Sequence, residues 1–393
     1  VLLNDRGSAD LASEASEARK VKIRENDMSN LQRVTRRAAL GLAAGAAMVL
    51  AAPAWAQVSF EGETIEWIIP FSEGGGSDKW ARFYAPLLAE ALPGNPTVVV
   101  KNMPGAGSTK GANFFASRAK PDGLTILGTS GSTQFPYLLG DPRVKFDYAD
   151  WNVVLASATG GVAYLPKDLA AEWAKDPQAV IDNTDFIYGS QGATRLDLVP
   201  LLAWEMLGMR VDPVFGIKGR GDGRLMFERG EANIDYQTSS AFLSKVMPLV
   251  EQGDAVPIMT WGALDDDGNI VRDPTFPDVP TFKEVYTQVK GEEPSGPAWD
   301  AWKAFFIAGF PAQKMVFLPN GTPDEIVDTY SAAFKAVTER PDFAEISVKR
   351  LGVYPQSTGA AAEKRLQLGT VVDPEATDWI KNWLKERYGV ELG

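Results

Sequence analysis

The chain has 393 residues, of which 45% are hydrophobic and 23% are charged, so it can bury a sizeable core spread over two or three domains. Its 51 acidic residues outnumber its 39 basic residues, and this balance argues against a nucleic-acid partner. The chain contains no cysteine and no histidine. Disulfides, thiol nucleophiles, Ser-His-Asp triads and nearly all catalytic zinc sites are therefore excluded, and we expect neither a metal nor a cofactor.

The first 56 residues have the pattern of an upstream extension followed by a signal peptide. Three arginines within residues 33–37 precede an uncharged apolar stretch at residues 40–54, which is shorter than the roughly 20 residues that a membrane span needs. The small-x-small sequence at residues 54–56 predicts cleavage before Gln57 and export to the periplasm. The adjacent arginines leave twin-arginine and general secretion both open as the route. Residues 1–27 precede a methionine, and we expect them to be untranslated or disordered.

Strand patterns alternate with helix patterns from residue 64 onward. Residues 64–70 form a short apolar run ended by a proline, and a glycine-rich loop and a helical pattern follow. The runs at 98–100, 124–127 and 185–188 are each followed by a glycine-containing loop. This alternation predicts an α/β fold with mostly parallel sheets flanked by helices. The loops that follow the strands would face one crevice, where ligands bind in open sheets of this kind.

Three local patterns later in the chain also carry predictions. A helix that follows the 189–195 loop should stop at Gly208. Residues 322–325 read as a capping box with proline at the first helical position. Residues 220–222 spell an Arg-Gly-Asp tripeptide, but the match is short and the flanking glycines indicate a flexible loop.

The glycine loops have the chemistry of an anion site without that of a nucleotide site. None matches the dinucleotide fingerprint or the phosphate loop that ends in Gly-Lys-Ser/Thr. They do offer backbone N–H groups, hydroxyls and helix N-termini, which suit a small carboxylate. For any single loop, an ordinary strand-to-helix turn remains the alternative.

Five segments, in order along the chain, resemble signatures of the solute-binding proteins of tripartite tricarboxylate transporters, known as Bug proteins. They are residues 70–78 (PFSEGGGSD), 102–107 (NMPGAG), 120–125 (KPDGLT), 277–284 (PDVPTFKE) and 320–323 (NGTP). The resemblance covers essentially all of residues 64–393. It implies a two-lobed periplasmic binding protein that closes on a small organic carboxylate and delivers it to a membrane permease. We expect the protein to be a monomer without enzymatic activity.

The resemblance also implies domain boundaries and a set of ligand contacts. Residues 57–156 and 262–393 would form lobe 1, and residues 157–261 would form lobe 2. The implied contacts from lobe 1 are Phe71, Ser72, Gly75, Gly76, Ser77, Asp78, Thr129 and Ser130. Those from lobe 2 are Ser190, Gln191, Gly192, Ala193, Thr194 and Arg195. Close approach of the backbone to the ligand at Gly75 and Gly76 would be essential, since a side chain at Gly75 would obstruct it.

The chain departs from the family pattern in the loop at residues 189–195. Arg195 is not predicted by that pattern, and a histidine common in the helix that follows is absent. Arg195 would be a surface cation, a partner of Asp197, or a direct clamp on a ligand carboxylate.

Two other functions remain open from the sequence. An exported enzyme could use a pair of Asp or Glu carboxylates about 5 to 10 Å apart in one cleft. Alternatively, the chain could be a binding domain that serves a sensor kinase instead of a transporter.

Overall fold

The computed structural model describes residues 58–265 and 267–392. The predicted extension, signal peptide and cleavage site lie outside the described residues.

The first elements in the chain are β1 (Thr64–Ile69), α1 (Gly76–Ala91), β2 (Thr97–Asn102), α2 (Thr109–Arg118), β3 (Thr125–Gly128), α3 (Gly131–Leu138) and β4 (Asn152–Ser157), with 3₁₀ turns at Ala106–Ser108 and Tyr148–Asp150. There follow β5 (Gly161–Pro166), α4 (Lys167–Trp173), α5 (Pro177–Asn183), β6 (Asp185–Ser190), α6 (Leu198–Leu207), β7 (Arg210–Phe215), α7 (Arg220–Glu228), β8 (Asp235–Thr238), α8 (Ser239–Ala241), a π-helical segment (Phe242–Val246), α9 (Met247–Gln252) and β9 (Ala255–Thr260). The remaining elements are β10 (Ala263–Leu264), β11 (Ile270–Val271), α10 (Phe282–Lys290), α11 (Pro297–Gly309), β12 (Lys314–Leu318), α12 (Asp324–Thr338), α13 (Phe343–Leu351), β13 (Gln356–Ser357), α14 (Ala360–Thr370) and α15 (Pro374–Tyr388).

The strands divide into two groups, which we call the first and the second lobe. The first lobe contains a six-stranded sheet in the order β13-β4-β12-β3-β1-β2. The second lobe contains a three-stranded sheet, β8-β5-β9, and a parallel pair, β6-β7. The α/β class predicted from the sequence is confirmed.

The prediction that the sheets are mostly parallel is wrong. In the six-stranded sheet only β1–β2 and β1–β3 pair in parallel, whereas β12 runs antiparallel to both β3 and β4, and β13 runs antiparallel to β4. In the second lobe β5 is antiparallel to both of its neighbours. The reason is a long-range crossover: the chain passes through the whole second lobe before β12 inserts between β3 and β4 from the opposite end.

Two further local expectations can be compared with the structure. The helix predicted to stop at Gly208 is α6, and Gly208 has the positive φ of 84° that such an end requires. The predicted capping box at residues 322–325 is wrong, because α12 begins after Pro323 and its N-cap makes no side-chain hydrogen bond. The Thr322 hydroxyl instead donates to the oxygen of Pro319. A capping box is present between Thr281 and Glu284.

One large apolar core extends over both sides of the predicted domain boundaries. It joins second-lobe residues such as Trp204 and Tyr236 to Trp302 and Phe306 of α11 and to Trp383 of α15. The helices α10, α11 and α15 therefore pack with the second lobe, although the predicted boundaries assign residues 262–393 to the first. Those boundaries stay a prediction.

Candidate ligand-binding site

The loops that follow five strands converge on a small cavity of about 30 Å³ between the two lobes. The cavity is lined from the first lobe by Phe71, Gly75, Gly76, Ser77, Ser130, Ser132, Gln313 and Lys314. It is lined from the second lobe by Gln191, Leu196, Gly219, Arg220 and Thr238. The lining is therefore mostly glycines and polar side chains, contributed by both lobes.

Three helix N-termini contribute to this lining. Helix α1 begins after Gly75 and α7 begins after Gly219, and neither N-cap makes a side-chain hydrogen bond. Helix α3 begins after Ser130, whose hydroxyl accepts a hydrogen bond from the N–H of Ser132. Free N–H groups and the positive ends of helix dipoles favour negative charge. The arrangement can hold an anion by backbone donors alone.

The two lobes approach most closely at Gly76. A Cβ atom at this position would overlap the hydroxyl of Thr238, and the Ser240 hydroxyl donates a 3.1 Å hydrogen bond to the oxygen of Gly76. At Gly75, by contrast, a Cβ atom would lie 3.6 Å from the backbone nitrogen of Gly221, which is ordinary contact. Contact between the lobes thus requires a glycine at position 76, and the predicted approach of Gly75 to the ligand stays a prediction.

The loop after β6 is held by the buried carboxylate of Asp197. This carboxylate accepts hydrogen bonds from the Ser190 hydroxyl at 2.9 Å, the Gln191 N–H at 2.6 Å and the Tyr236 hydroxyl at 3.2 Å. These hydrogen bonds hold the backbone of Gln191 in place beside the cavity. Its side-chain oxygen accepts from Ser132, while its Nε2 has no partner among the described residues. Gln191 therefore offers a buried, unused donor.

Arg220 lines the cavity, but its charge is balanced within the protein. Its guanidinium forms an ion pair with Asp235 and lies 3.6 Å from Asp197. The rings of Tyr188 and Tyr236 are each 4.8 Å from its Cζ. Burial opposes the charge, but the neighbouring carboxylates outweigh burial and hold the pKa of Arg220 well above its ordinary value. Arg220 is a permanent cation with its own counter-charges.

Lys314 lines the same cavity and lacks such a counter-charge. Only 2% of its surface is exposed, and no carboxylate of the described residues lies within ion-pair distance of its Nζ. Its hydrogen-bond partner is the side-chain oxygen of the adjacent Gln313. Burial lowers the pKa of Lys314 to about 7.

Arg195 lies in a neighbouring groove of about 410 Å³, also lined by residues 105–107, 192–194 and 215–218. It is 2% exposed, so the surface-cation interpretation is wrong. Its ion pair, at 3.7 Å, is with Asp141 instead of Asp197, and its Nη2 donates to the oxygen of Ala106 at 3.0 Å. Burial and the nearby Arg143 lower the pKa of Arg195 to about 10. Direct contact with a ligand stays a prediction.

The structure distributes the fourteen sequence-predicted contacts over three places. Those that line the cavity are Phe71, Gly75, Gly76, Ser77, Ser130 and Gln191. Gln191 also lines the groove, together with Gly192, Ala193, Thr194 and Arg195. Ser72, Asp78, Thr129 and Ser190 line neither space. Asp78 instead accepts hydrogen bonds from the Gly74 N–H and from Arg82, so its carboxylate holds the glycine loop.

Sequence reasoning missed Arg220, Gln313 and Lys314. Arg220 opens helix α7, so the interpretation of residues 220–222 as a flexible loop is wrong. The available signal for Lys314 was a lysine at the start of the uninterrupted apolar run KMVFL. Such a run is typical of a buried strand, in which a lysine needs an explanation.

The described part of the chain contains neither a cluster of metal-binding side chains nor a membrane-spanning helix. No group of three or more acidic side chains there is placed to hold a metal ion. No helix in residues 58–265 or 267–392 is long and apolar enough to cross a membrane.

Fold and site together define a two-lobed α/β binding protein with an interlobe cavity. The sequence pattern of the tripartite tricarboxylate transporter family receptors matches residues 81–368. The chain therefore belongs to this family of solute-binding receptors, and the resemblance noted from the sequence is confirmed.

Individual proteins of known sequence or structure are also similar to this chain. A UPF0065 protein of Bordetella pertussis is 28% identical over 303 residues, which cover 76% of this chain and 84% of the relative. The solved structure of the periplasmic binding protein BugD has a TM-score of 0.62 and 22% identity, over 85% of this chain and 100% of its own. MatC from Rhodopseudomonas palustris, solved with bound malate, has a TM-score of 0.59 and 20% identity, over 82% of this chain and 99% of its own. These structures share the two-lobed periplasmic binding protein fold with this chain.

Proposed function

We propose that the protein is a periplasmic receptor that binds a small organic carboxylate in the cavity between its lobes. It would deliver the carboxylate to a membrane permease of the tripartite tricarboxylate type, and it would act as a monomer. Signal-peptide removal before Gln57 would place it in the periplasm, by either export route.

The observation that carries this proposal is the convergence of donors on one cavity. The first turns of α1, α3 and α7 line it, and the side chain of Gln191 adds an unused N–H₂ group. An acceptor-only group of small size satisfies such a set, and a carboxylate is the commonest biological group of that kind. The malate bound to MatC is a carboxylate of this class.

The composition of the cavity argues against the exported-enzyme alternative. Glycosidase-type chemistry requires two carboxyl groups facing the substrate. The ionisable side chains among the residues that line this cavity are Arg220 and Lys314, and both are cationic types. A binding role without bond cleavage accounts for these residues; acid–base catalysis by paired carboxylates does not.

Ligand binding requires a change in the cavity. Its volume of about 30 Å³ exceeds that needed for one water molecule, but typical ligand pockets enclose roughly 300 Å³ or more. A dicarboxylate can therefore occupy this space only if the lining side chains shift while the contact between the lobes at Gly76 is kept. The arrangement seen here is a closed one.

Native mass spectrometry of gently purified protein, followed by thermal denaturation with a carboxylate panel, tests the proposal. The panel should contain mono-, di- and tricarboxylates and the amides of the same skeletons. A matching carboxylate at 100 times its Kd should stabilise the protein by about 2.7 kcal/mol, and the amides should not. The proposal is overturned if every released or added molecule that binds lacks a carboxylate.

Uptake of the labelled ligand should also fail in cells that lack the gene; persistent uptake would favour the sensor alternative.

A further inference from the structure

Lys314 occupies an unusual position for a lysine. It is the first residue of β12, a strand whose five residues are all buried, and it pairs with Ser157 of the neighbouring strand. Because β12 is antiparallel to β3, its first residue lies at the sheet edge where β3 ends and the Ser130 loop begins. Lys314 thereby joins the residues that line the interlobe cavity.

The charges around this ammonium group do not balance. Arg220, the other cation of the lining, has Asp235 and Asp197 as partners. Within residues 58–265 and 267–392, Lys314 has only the neutral side-chain oxygen of Gln313. A buried charge without a counter-charge is strongly unfavourable, so a lysine with a merely structural role would be poorly placed here.

A second donor points to the same missing group. Gln191 lines the cavity and is only 8% exposed, and its Nε2 is buried without a hydrogen-bond partner among the described residues. It is contributed by the second lobe, whereas Lys314 is contributed by the first. Among the described residues, two buried donor groups from opposite lobes are therefore incompletely paired: the Nε2 of Gln191 lacks an acceptor, and the ammonium group of Lys314 lacks a counter-charge. An anionic acceptor supplies both.

We propose that Lys314 is the counter-cation of the ligand, forming a salt bridge with one ligand carboxylate while Gln191 donates a hydrogen bond to the same group. This inference rests on the proposed carboxylate function and adds the residue that determines charge specificity. If Lys314 has this role, the protein should bind a carboxylate much more tightly than the neutral amide of the same skeleton, since an amide would leave the ammonium group unpaired.

Binding should consequently be coupled to proton uptake. The free protein holds the pKa of Lys314 near 7 by burial, and a bound carboxylate favours the protonated form and raises that pKa. The other charged group that faces the cavity is Arg220, whose raised pKa keeps it charged throughout this range. Between pH 7 and 9 the apparent Kd of a carboxylate should rise up to tenfold per pH unit, because deprotonated Lys314 must first take up a proton.

Isothermal titration calorimetry with malate, succinate and adipate provides the test. Lys314→Met should weaken the binding of whichever of these wild type binds by at least 100-fold at pH 6.5, and should remove the pH dependence. Lys120→Met is the matched control, because Lys120 is exposed in a loop outside the cavity. It should bind as wild type does. Thermal denaturation of each ligand-free variant shows whether the fold is retained.

The outcomes separate this inference from the proposed function. If wild type binds a carboxylate and Lys314→Met binds it equally well, with the same pH profile, the role of Lys314 is overturned and the receptor function stands. If wild type binds the amides of these acids as tightly as the acids, both are overturned. Weak binding by Lys314→Met, together with loss of the pH dependence and wild-type behaviour of Lys120→Met, supports the inference.

Discussion

Ser240 of the second lobe donates a 3.1 Å hydrogen bond to the main-chain oxygen of Gly76 in the first turn of α1. Beside it, the hydroxyl of Thr238 occupies the space that a Cβ atom of residue 76 would need. The absence of a side chain at Gly76 therefore sets how closely the two lobes meet. Since the cavity lies at this junction, the fit between the lobes and the binding of a ligand depend on the same residue.

The first prediction compares two adjacent glycines. Gly76→Ala should weaken carboxylate binding by at least tenfold, because the new methyl group would hold the lobes apart at Thr238. Gly75→Ala should bind nearly as wild type does, since its Cβ would meet only an ordinary contact at 3.6 Å and its φ of −79° suits alanine. Calorimetric titration of both variants with the ligand of wild type checks this. Equal effects at the two positions would contradict the assigned contact.

The sequence was sufficient for the local elements and insufficient for the way in which they pair. Short apolar runs that end at glycine or proline predicted β1, β3 and β6, because a buried strand leaves its signature in its own residues. The direction of β12 depends on a partner 188 residues earlier, Gly128, which pairs with Val316. No local pattern records such a pairing, so the sheets were expected to be mostly parallel.

The same long-range pairing explains which part of the site was missed. Among the loops that follow strands, those of Gly76, Ser130 and Gln191 line the cavity, whereas the loop after β2 lines the neighbouring groove. Lys314 begins a strand, and in a parallel sheet it would lie at the opposite edge. Only the antiparallel insertion of β12 brings it to the cavity.

The second prediction concerns Arg195, which connects the lobes. Its guanidinium donates to the oxygen of Ala106 and pairs with Asp141, both on the first-lobe side. Arg195→Ala should lower ligand affinity by about 1.5 to 3 kcal/mol, the range for hydrogen bonds to charged groups, because the closed arrangement loses this link. Titration calorimetry measures the loss. Arg143→Ala is the control: Arg143 also pairs with Asp141 but lies within the same loop, so affinity should change little. If Arg143→Ala lowers ligand affinity more than Arg195→Ala does, the contacts of Arg195 with Ala106 and Asp141 are unimportant for binding.

The third prediction concerns Asp197, which holds the Gln191 loop. Asp197→Asn should destabilise the protein by about 2 to 4 kcal/mol, because the buried Arg220 loses one of its two counter-charges. Urea denaturation gives the free energy of unfolding. Asp185→Asn breaks an exposed ion pair with Arg210 and should change stability by less than about 1 kcal/mol. Similar values for the two variants would contradict the role of Asp197.

The fourth prediction concerns export. Expression of the full sequence in a Gram-negative host should yield periplasmic protein whose first residue is Gln57. Intact-mass measurement of the periplasmic fraction checks this, and Ala56→Glu should block processing because a signal peptidase requires a small residue there. A periplasmic protein that retains residues 28–56 would contradict the assignment. Inhibition of export after Arg36→Lys and Arg37→Lys together would select the twin-arginine route.

The last prediction concerns the stability of the ligand-free protein as a function of pH. Burial lowers the pKa of Lys314 to about 7, whereas an unfolded chain would hold it near 10.5. Between these values the unfolded state binds more protons than the folded state, so the contribution of Lys314 to the free energy of unfolding becomes more favourable as pH rises. Below pH 7 both states are protonated and the full penalty of burying the charge is present.

Removing the ammonium group should therefore stabilise the protein most at low pH. The gain in unfolding free energy from Lys314→Met should be about 3 kcal/mol larger at pH 6.5 than at pH 9.5, at about 1.4 kcal/mol for each pH unit above 7. Guanidinium denaturation of wild type and variant at both pH values measures it, and the comparison cancels all other titrating groups. Lys120→Met should show no such difference, because Lys120 is exposed. A saturating carboxylate should reduce the difference by raising the pKa of Lys314 in the folded state. Parallel pH profiles for ligand-free wild type and Lys314→Met would show that the lysine is not a buried, uncompensated cation.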